Sequence, residues 1–378
     1  MTGVQTCALP IFGSSADSPW IGGWGLSGLG SAVESLANNG GVYPIPTLVF
    51  SSFQLMFAII TPALISGAIA DRTKFTAWAL FVTAWVTIVY FPVAHWVFDF
   101  GDKVGEKLIG VGYLAGKGVL DFAGGTAVHI NAGAAGLALA LVLGKRHGWR
   151  RDPMRPHSLP LVLLGSGLLW FGWFGFNAGS ALGANGIAGL ALINTQVATG
   201  AALIGWLLVE KIRDGHATSL GAASGAVAGL VAITPACAFV APWAAVVLGL
   251  IAGIVCAMAV GLKYKFGFDD SLDVVGVHLV GGIWGCLSIG LFATKGVNSL
   301  GGNGLFNGGG FDLLKTQAFG AFFVLAYSFL VTLIIGFVIN KTIGFRVTQE
   351  AEVNGIDLVE HRETAYEMFS SSRGGISA

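Results

Sequence analysis

Long apolar runs separated by short polar stretches make up most of this chain. Because a bilayer core of about 30 Å needs about 20 apolar residues for one helical crossing, such runs predict membrane spans. Nine occur, at 47–70, 77–98, 122–143, 159–178, 187–209, 218–238, 243–262, 274–293 and 318–340. Short connections rich in Gly, Pro, Asn and charge join them. The pattern predicts an all-α fold, a polytopic membrane helical bundle.

The composition supports this fold class. Of the 378 residues, 54% are hydrophobic and 11% are charged, and the formal net charge is zero, which gives no reason to expect nucleic-acid binding. The 58 glycines allow helices to approach closely in lipid. The four cysteines form no CxxC pair, so neither a metal site nor a disulfide framework is indicated, and no cofactor is expected.

The basic residues are distributed unequally between the two sides of the membrane. Of the 20 Lys and Arg, 15 lie in the connections 71–76, 144–158, 210–217 and 263–273 or after residue 340. Because cytoplasmic connections carry the excess of Lys and Arg, the N-terminus is predicted outside and the C-terminus in the cytoplasm. The basic stretch "GKRHGWRRDPMRPH" is explained by this topology, with contact to lipid headgroups or a partner as the alternative.

Three regions follow from these patterns. Residues 1–46 form an atypical N-terminal segment and an outer loop, and 47–340 form the transmembrane domain. Residues 341–378 are too charged to span and too few to build a core of their own, so they are expected to form a cytoplasmic tail.

Two histidines lie inside predicted spans and within similar motifs. "VHINAGAAG" around His129 and "VHLVGGIWG" around His278 share the pattern V-H-[IL]-x-x-G-x-x-G. The third and eighth spans, which carry them, run in opposite directions, as expected for an inverted repeat with a shared site near the midplane. A structural hydrogen bond to a neighbouring helix would explain one intramembrane histidine. Two histidines in repeated motifs instead favour a functional role. Facing neutral imidazoles suit a small hydrogen-bonding solute that crosses uncharged.

Carboxylates and aromatic rings accompany the motifs. Asp121 begins the third span, where it is expected to cap the helix, and its charge would favour a cation about 12 Å from His129. Asp273 precedes the second motif and is expected to cap in the same way. Phe53 and Phe57 share one helix face that offers π surface to a small cation.

From about residue 47 to the tail, the chain resembles the Amt/Mep/Rh ammonium transporters, most closely the bacterial Amt branch. "DFAGGTAVHINAGAAGLALALVLGKR" reads like the family signature, and "WFGFNAGSA", "TPACAF", "DVVGVH" and "GFRVTQEAE" follow in the family's order. The resemblance implies a homotrimer in the cytoplasmic membrane with one pore per subunit. Each pore would recruit ammonium, deprotonate it and pass ammonia through a hydrophobic channel.

The resemblance also assigns roles to individual residues. The twin histidines of the pore match His129 and His278, and the gate matches Phe57 and Phe176. The substrate-binding positions match Phe53, Ser180, Phe98, Trp173 and Asp121. In the best-known branch the outer position is a tryptophan; here "HWVF" places Phe98 there, with Trp96 as the alternative. Phenylalanine keeps a π face but lacks the indole N–H.

Two other functions are compatible with parts of this pattern. One is an ammonium sensor that signals through the tail; residues 341–366 resemble the family's tail, which contacts neighbouring subunits and helps a PII-type signal protein to dock. The other is an intramembrane hydrolase that uses Asp121, His129 and His278. The sequence lacks HExxH and GxSxG motifs, so a transporter rather than an enzyme is favoured.

The N-terminal stretch "MTGVQTCALPI" does not resemble the family. The family has eleven spans, whereas nine are found here, and the shortfall lies before residue 47. The stretch looks like translated sequencing-adapter sequence joined to the end of a lost span. We therefore expect that two upstream spans are missing and that the first repeat lacks one wall.

Overall fold

The computed structural model describes residues 18–23, 33, 36–37, 45–104, 107–109, 111–152 and 154–366. The nine apolar helices of this part of the chain are α1 (Thr47–Ile69), α2 (Phe75–Phe98), α3 (Gly125–Leu143), α4 (Leu159–Gly179), α5 (Gly186–Asp214), α6 (Ser219–Ile233), α7 (Pro242–Ala259), α8 (Val275–Phe292) and α9 (Asp312–Thr342). All except α6 are long and apolar enough to cross a membrane. The predicted all-α membrane bundle is confirmed, whereas "MTGVQTCALPI" lies outside the described residues.

Short elements lie in the connections. Strand β1 (Leu36–Ala37) pairs antiparallel with β2 (Ile45–Pro46), and β3 (Asp102–Val104) pairs antiparallel with β4 (Lys107–Ile109). The short helical segments are Tyr113–Gly116, Leu262–Phe266, Leu305–Asn307, Gln349–Asn354 and Asp357–His361. None of these described elements forms a separate layer.

Helices α3 and α8 form the centre of the bundle. They are the most deeply buried of the long helices, whereas almost all of α4 faces outwards. Helices α1 and α9 pack against α3, and α2 packs against α9. On the other side, α5 packs against α6 and α7, and α4 covers α5 and α6. The central pair is thus enclosed by two groups of helices.

The repeated glycines allow α3 and α8 to touch. A Cβ on Gly133 would lie 2.5 Å from the backbone nitrogen of Leu279, and one on Gly282 would lie 3.0 Å from Ile130 Cγ1. Residue numbers rise along one helix as they fall along the other, so the contact is antiparallel. Each glycine meets the residue that follows the histidine of the other motif, as the inverted repeat predicts.

Both central helices begin with π-helical turns, Gly125–Ile130 in α3 and Val275–Leu279 in α8. The Asp121 carboxylate accepts hydrogen bonds from the backbone N–H groups of Gly124 and Gly125, each at 2.7 Å. It thereby satisfies donors that have no partner within the helix. The predicted capping role of Asp121 is confirmed.

The prediction that Asp273 caps the second motif was wrong. The carboxylate of Asp270 accepts from the backbone N–H groups of Val274 and Val275, at 3.1 and 2.7 Å. Asp273 instead has a positive φ of 63° and pairs with Lys263 Nζ at 2.7 Å. The spacing identifies the correct residue, because Asp270 precedes His278 by the same eight positions that separate Asp121 from His129.

Helix α6 ends earlier than the predicted span 218–238. It stops at Ile233, and the buried segment 234–239 continues as turns. Thr234 keeps a helical backbone, and Pro235 explains the end, because it has no N–H to donate and its ring collides with the carbonyl group four residues earlier. Asn194 Nδ2 donates to the carbonyl oxygens of Cys237 and Val240, both at 2.8 Å. Irregular backbone is tolerated within the membrane because protein groups supply the hydrogen bonds that its polar groups need.

Other boundaries differ because polar residues continue several helices beyond their apolar cores. Helix α9 begins at Asp312, six residues before the predicted start, with an acidic residue in its first turn. Helix α5 continues to Asp214 with Lys211 and Arg213 in its last turn. Both arrangements complement the helix dipole. Hydropathy alone does not detect such extensions.

The contact between α5 and α7 gives a test of packing. A Cβ on Gly205 would lie 2.4 Å from the Leu250 carbonyl oxygen, whereas one on Gly200 would meet nothing within 4 Å. Gly205→Ala is expected to reduce the free energy of unfolding by about 1–3 kcal/mol, because overpacking separates the helices. The measurement is thermal unfolding in detergent. Gly200→Ala is the matched control on the same helix, and equal melting temperatures for the two variants would contradict the packing.

The role of the Asp270 cap can be tested by the dependence of the melting temperature on pH. Burial, followed by the charge of Asp273, raises the pKa of the Asp270 carboxyl from 3.8 to about 6. The folded state therefore holds this proton more tightly than the unfolded chain. The contribution of Asp270 to stability is complete below pH 3.8 and is lost as the pH rises towards 6. We expect the melting temperature to fall less over this interval in Asp270→Asn, whose amide does not titrate.

Asp273→Asn is the control for this experiment. It keeps the left-handed backbone that asparagine tolerates and leaves Asp270 free to titrate. The fall in melting temperature should persist in Asp273→Asn, displaced to lower pH because one neighbouring negative charge is removed. Identical pH profiles for the original chain and Asp270→Asn would refute the assignment.

Candidate functional site

The two motif histidines meet at the α3–α8 crossing. Nδ1 of His278 lies 3.3 Å from Nδ1 of His129, and both residues are buried. One Nδ1 must donate and the other must accept, so two neutral rings satisfy the contact only when they hold different tautomers. Two imidazolium rings would place donor against donor. The geometry therefore favours one shared hydrogen between two uncharged rings.

Trp173 on α4 holds one side of this pair. Its ring lies nearly parallel to His129, with centroids 5.5 Å apart and an interplanar angle of 14°. Its Nε1 donates to Thr234 Oγ1 at 2.8 Å, in the turn that follows α6. Thr234 lies in the stretch "TPACAF", which supports the family resemblance, but the residue itself was not predicted to belong to the site. The Thr-Pro pair at the end of an apolar run was the available signal.

Two phenylalanines stack above the histidines. The Phe57 ring lies 4.5 Å from that of Phe176, with an interplanar angle of 29°. Phe176 lies 6.1 Å from the His129 ring and 5.3 Å from Trp173. Four aromatic side chains from α1, α3 and α4 thus form a continuous column. The structure brings together the residues that were predicted as gate and pore.

Phe53 and Ser180 lie at the far end of this column from the histidines. The Phe53 ring is 4.9 Å from Phe57 and close to Gly179. Ser180 Oγ donates to the Phe176 carbonyl oxygen at 2.8 Å. Because both side chains are only partly buried, the column opens towards the outside of the molecule here.

The structure distinguishes between the two candidates for the outer aromatic position. The Phe98 ring is 6.2 Å from Phe57, so it borders the column. Trp96 is buried on the opposite face, where its ring is 4.8 Å from Tyr327 and its Nε1 donates to the Trp20 carbonyl oxygen at 2.9 Å. The geometry favours Phe98.

Asp121 is close in sequence to the site but does not offer free oxygens to it. The carboxylate is buried, and Thr126 donates to it through its backbone N–H and its hydroxyl. The hydrogen bonds that it accepts from residues 124–127 fix the start of α3. Its expected effect on a cation is therefore that of a buried negative charge rather than of a ligand.

Similarity to known proteins identifies the family of this chain. The family model described as "Ammonium Transporter Family" matches residues 11–366. An ammonium transporter of Mycobacterium tuberculosis is 55% identical over 338 residues, which are 88% of this chain and 70% of that protein. One of Bacillus subtilis is 46% identical over 324 residues, which are 85% of this chain and 77% of that protein.

Solved structures show the same helical membrane fold. Mep2 of Saccharomyces cerevisiae superposes with a TM-score of 0.78 at 32% identity, covering 92% of this chain and 78% of that one. A structure titled "Sensor Amt Protein" has a TM-score of 0.80 at 30% identity and covers 95% of this chain and 86% of that one. Family model, relatives and fold agree, and this chain belongs to the ammonium transporter family.

Proposed function

We propose that this ammonium transporter works by recruiting ammonium at its outer surface, removing one proton and passing ammonia between α3 and α8. The observation that carries the mechanism is the His129–His278 pair, in which two buried imidazoles lie 3.3 Å apart. Next to this pair lie Trp173 and Phe176, whose rings stack on His129. Polar groups in such surroundings are retained for contact with a solute.

The surroundings discriminate between the charged and the neutral form of the substrate. An ammonium ion loses its hydration in an aromatic passage without a carboxylate partner, at a cost of several kcal/mol. Ammonia is uncharged and both donates and accepts hydrogen bonds. Among the described residues, Nε2 of His129 has no hydrogen-bond partner, so it is available to such a solute. The proton therefore leaves before nitrogen reaches the pair, and it crosses the membrane by a route separable from that of ammonia, so that transport carries a current.

The outer end of the column supplies the binding site for the cation. Phe53 and Phe98 offer ring faces, and Ser180 offers a hydroxyl oxygen near the same opening. The buried charge of Asp121 adds a favourable potential. Phenylalanine supports cation–π attraction but gives no N–H, so selection depends on the rings and the hydroxyl.

A sensor role is the second candidate, and it rests on the position of the tail. Arg346 Nη1 donates to the carbonyl oxygen of Leu143, the last residue of α3, at 3.1 Å. The chain after α9 is thereby bonded to a helix that carries one of the paired histidines. We also propose a homotrimer in the cytoplasmic membrane, with the tail inside, where a PII-type protein would dock.

Replacing either histidine tests the pore. His129→Ala or His278→Ala removes the shared hydrogen bond, and we expect ammonium-driven uptake to fall at least about tenfold, the equivalent of 1.4 kcal/mol in a barrier. The measurement is current in proteoliposomes with and without an ammonium gradient. His216→Ala changes an exposed histidine outside the bundle and serves as the control.

Oligomeric state and melting temperature should be measured for all three variants, so that loss of uptake is separated from loss of folding. Wild-type uptake and selectivity in both buried-histidine variants would reduce the pair to a structural contact. The transporter family would stand, but the twin-histidine mechanism would not.

Replacing a stacked phenylalanine tests the constriction. A narrow apolar passage excludes ions because it sheds water. Phe57→Ala or Phe176→Ala is expected to change conductance and to raise the potassium current relative to the ammonium-driven current. Phe171→Ala is the matched control, because Phe171 lies on α4 and is 77% exposed. The same current ratio in Phe171→Ala and Phe176→Ala would show that the stacked pair does not control ion entry.

A further inference from the structure

A cavity of about 430 Å³ lies between the α3–α4 connection and the chain that follows α9. We call it the loop–tail cavity. Its walls carry four cationic residues, Lys145, Arg146, Arg151 and Arg346, and one acidic residue, Glu352. The volume is within the range of small-ligand sites, about 300–1,000 Å³. It lies away from the histidine pair and is not explained by transport.

Two of the four cations are neutralised by ion pairs. Arg146 Nη2 lies 2.7 Å from Asp269 Oδ1, and Arg346 Nη2 lies 2.6 Å from Glu352 Oε2. In the described part of the chain, the other two cations of the wall have no carboxylate within 4.0 Å. The cavity therefore carries an excess of two positive charges.

Both oxygens of the acidic residue of the wall already accept hydrogen bonds. Glu352 Oε1 accepts from the His147 backbone N–H, and Oε2 accepts from Nε and Nη2 of Arg346. Both oxygens are thus used to hold the tail against the loop. The negative charge of Glu352 is thereby paired with Arg346 and is already included in the excess of two positive charges.

The cations without partners are held near the cavity by the loop structure. Lys145 Nζ lies 4.7 Å from the Trp149 ring centroid, and Trp149 stacks on Tyr264 with centroids 6.2 Å apart. The Arg151 backbone N–H donates to the Gly148 carbonyl oxygen at 2.8 Å. A ring face attracts a cation without cancelling its charge. The ring thus positions the Lys145 charge and the turn fixes the Arg151 backbone, while both charges remain available to an anion.

We propose that the loop–tail cavity binds a phosphate-bearing anion, with Lys145 and Arg151 as its charge partners. A phosphate monoester carries a charge of about −1.5 to −2 at pH 7, which matches the excess. The guanidinium of Arg151 presents paired N–H donors that suit phosphate oxygens. The excess of Lys and Arg in cytoplasmic connections explains why this connection is basic, but it does not explain why its basic side chains converge on a cavity.

The bound group connects two parts of the chain, because loop and tail both form the walls. Gln349 Nε2 lies 2.9 Å from His147 Nδ1. The backbone of Arg346 also pairs in an antiparallel β-bridge with Thr73, in the α1–α2 connection. An anion at Lys145 and Arg151 adds attraction to Arg346 across the cavity. Occupancy is therefore expected to slow hydrogen exchange in residues 346–354.

The first arm of the test uses a soluble phosphate compound. Inorganic pyrophosphate is titrated into the full chain in neutral detergent and followed by calorimetry. The double variant Lys145→Gln/Arg151→Gln is expected to bind at least about tenfold more weakly, because two charge-assisted bonds are lost. The double variant Arg155→Gln/Lys265→Gln removes the same net charge from exposed positions that do not line the cavity, and its affinity should change by less than about twofold.

The second arm distinguishes a lipid headgroup from a soluble source. The full chain is placed in phosphatidylcholine nanodiscs with or without phosphatidylglycerol, and hydrogen exchange of residues 346–354 is measured. Slower exchange that requires phosphatidylglycerol and both cavity cations identifies a headgroup; binding of pyrophosphate alone identifies a soluble phosphate compound. Either result supports the site.

Two results would overturn the proposal. One is the absence of binding and of protection in both arms. The other is equal weakening in the two double variants, which would show a diffuse basic surface. Neither arm measures transport through the histidine pair. The test of the cavity therefore stays valid even if the proposed transport mechanism is wrong.

Discussion

The contact on which the structure depends is the antiparallel crossing of α3 and α8. Gly133 and Gly282 let the two backbones approach, and any side chain at Gly133 would collide with the backbone of Leu279. The crossing places the two imidazoles within hydrogen-bonding distance. Helices α1, α2 and α9 on one side and α4 to α7 on the other enclose this pair. Small residues at a helix interface thus determine both the packing and the chemistry.

The second requirement is that every backbone group at membrane depth finds a partner. The central helices begin with π turns, and the carboxylates of Asp121 and Asp270 accept the N–H groups exposed there. The turns after α6 are satisfied by Asn194 and lie close to the site through Thr234. Asp121, Asp270 and Asn194 therefore stabilise interruptions in the helices. Side chains from five helices, α1, α2, α3, α4 and α8, meet at the site, and Thr234 joins them from the turn after α6.

The sequence predicted the spans and the histidine pair because both depend on local patterns. An apolar run of about 20 residues has few alternatives to a membrane-spanning helix. Two matching motifs on antiparallel helices imply that their histidines face a shared axis. Thr234 was missed because its importance comes from Trp173, which lies 61 residues away. The prediction that Asp273 caps the second motif relied on its proximity to the motif, whereas the repeated spacing of eight residues identifies Asp270. The choice between Phe98 and Trp96 for the outer aromatic position stayed open until their neighbours on α1 and α9 were known.

The Nδ1–Nδ1 contact of His129 and His278 has a consequence for directionality. The pair has a polarity, because one ring gives its Nδ1 hydrogen and the other keeps its hydrogen on Nε2. A proton that enters at one Nε2 and leaves at the other exchanges the two tautomers and reverses that polarity. The next proton cannot follow in the same direction until the original tautomers are restored. Any proton relay through this pair would therefore need a recovery step after each proton, unlike relay along a continuous chain of water molecules.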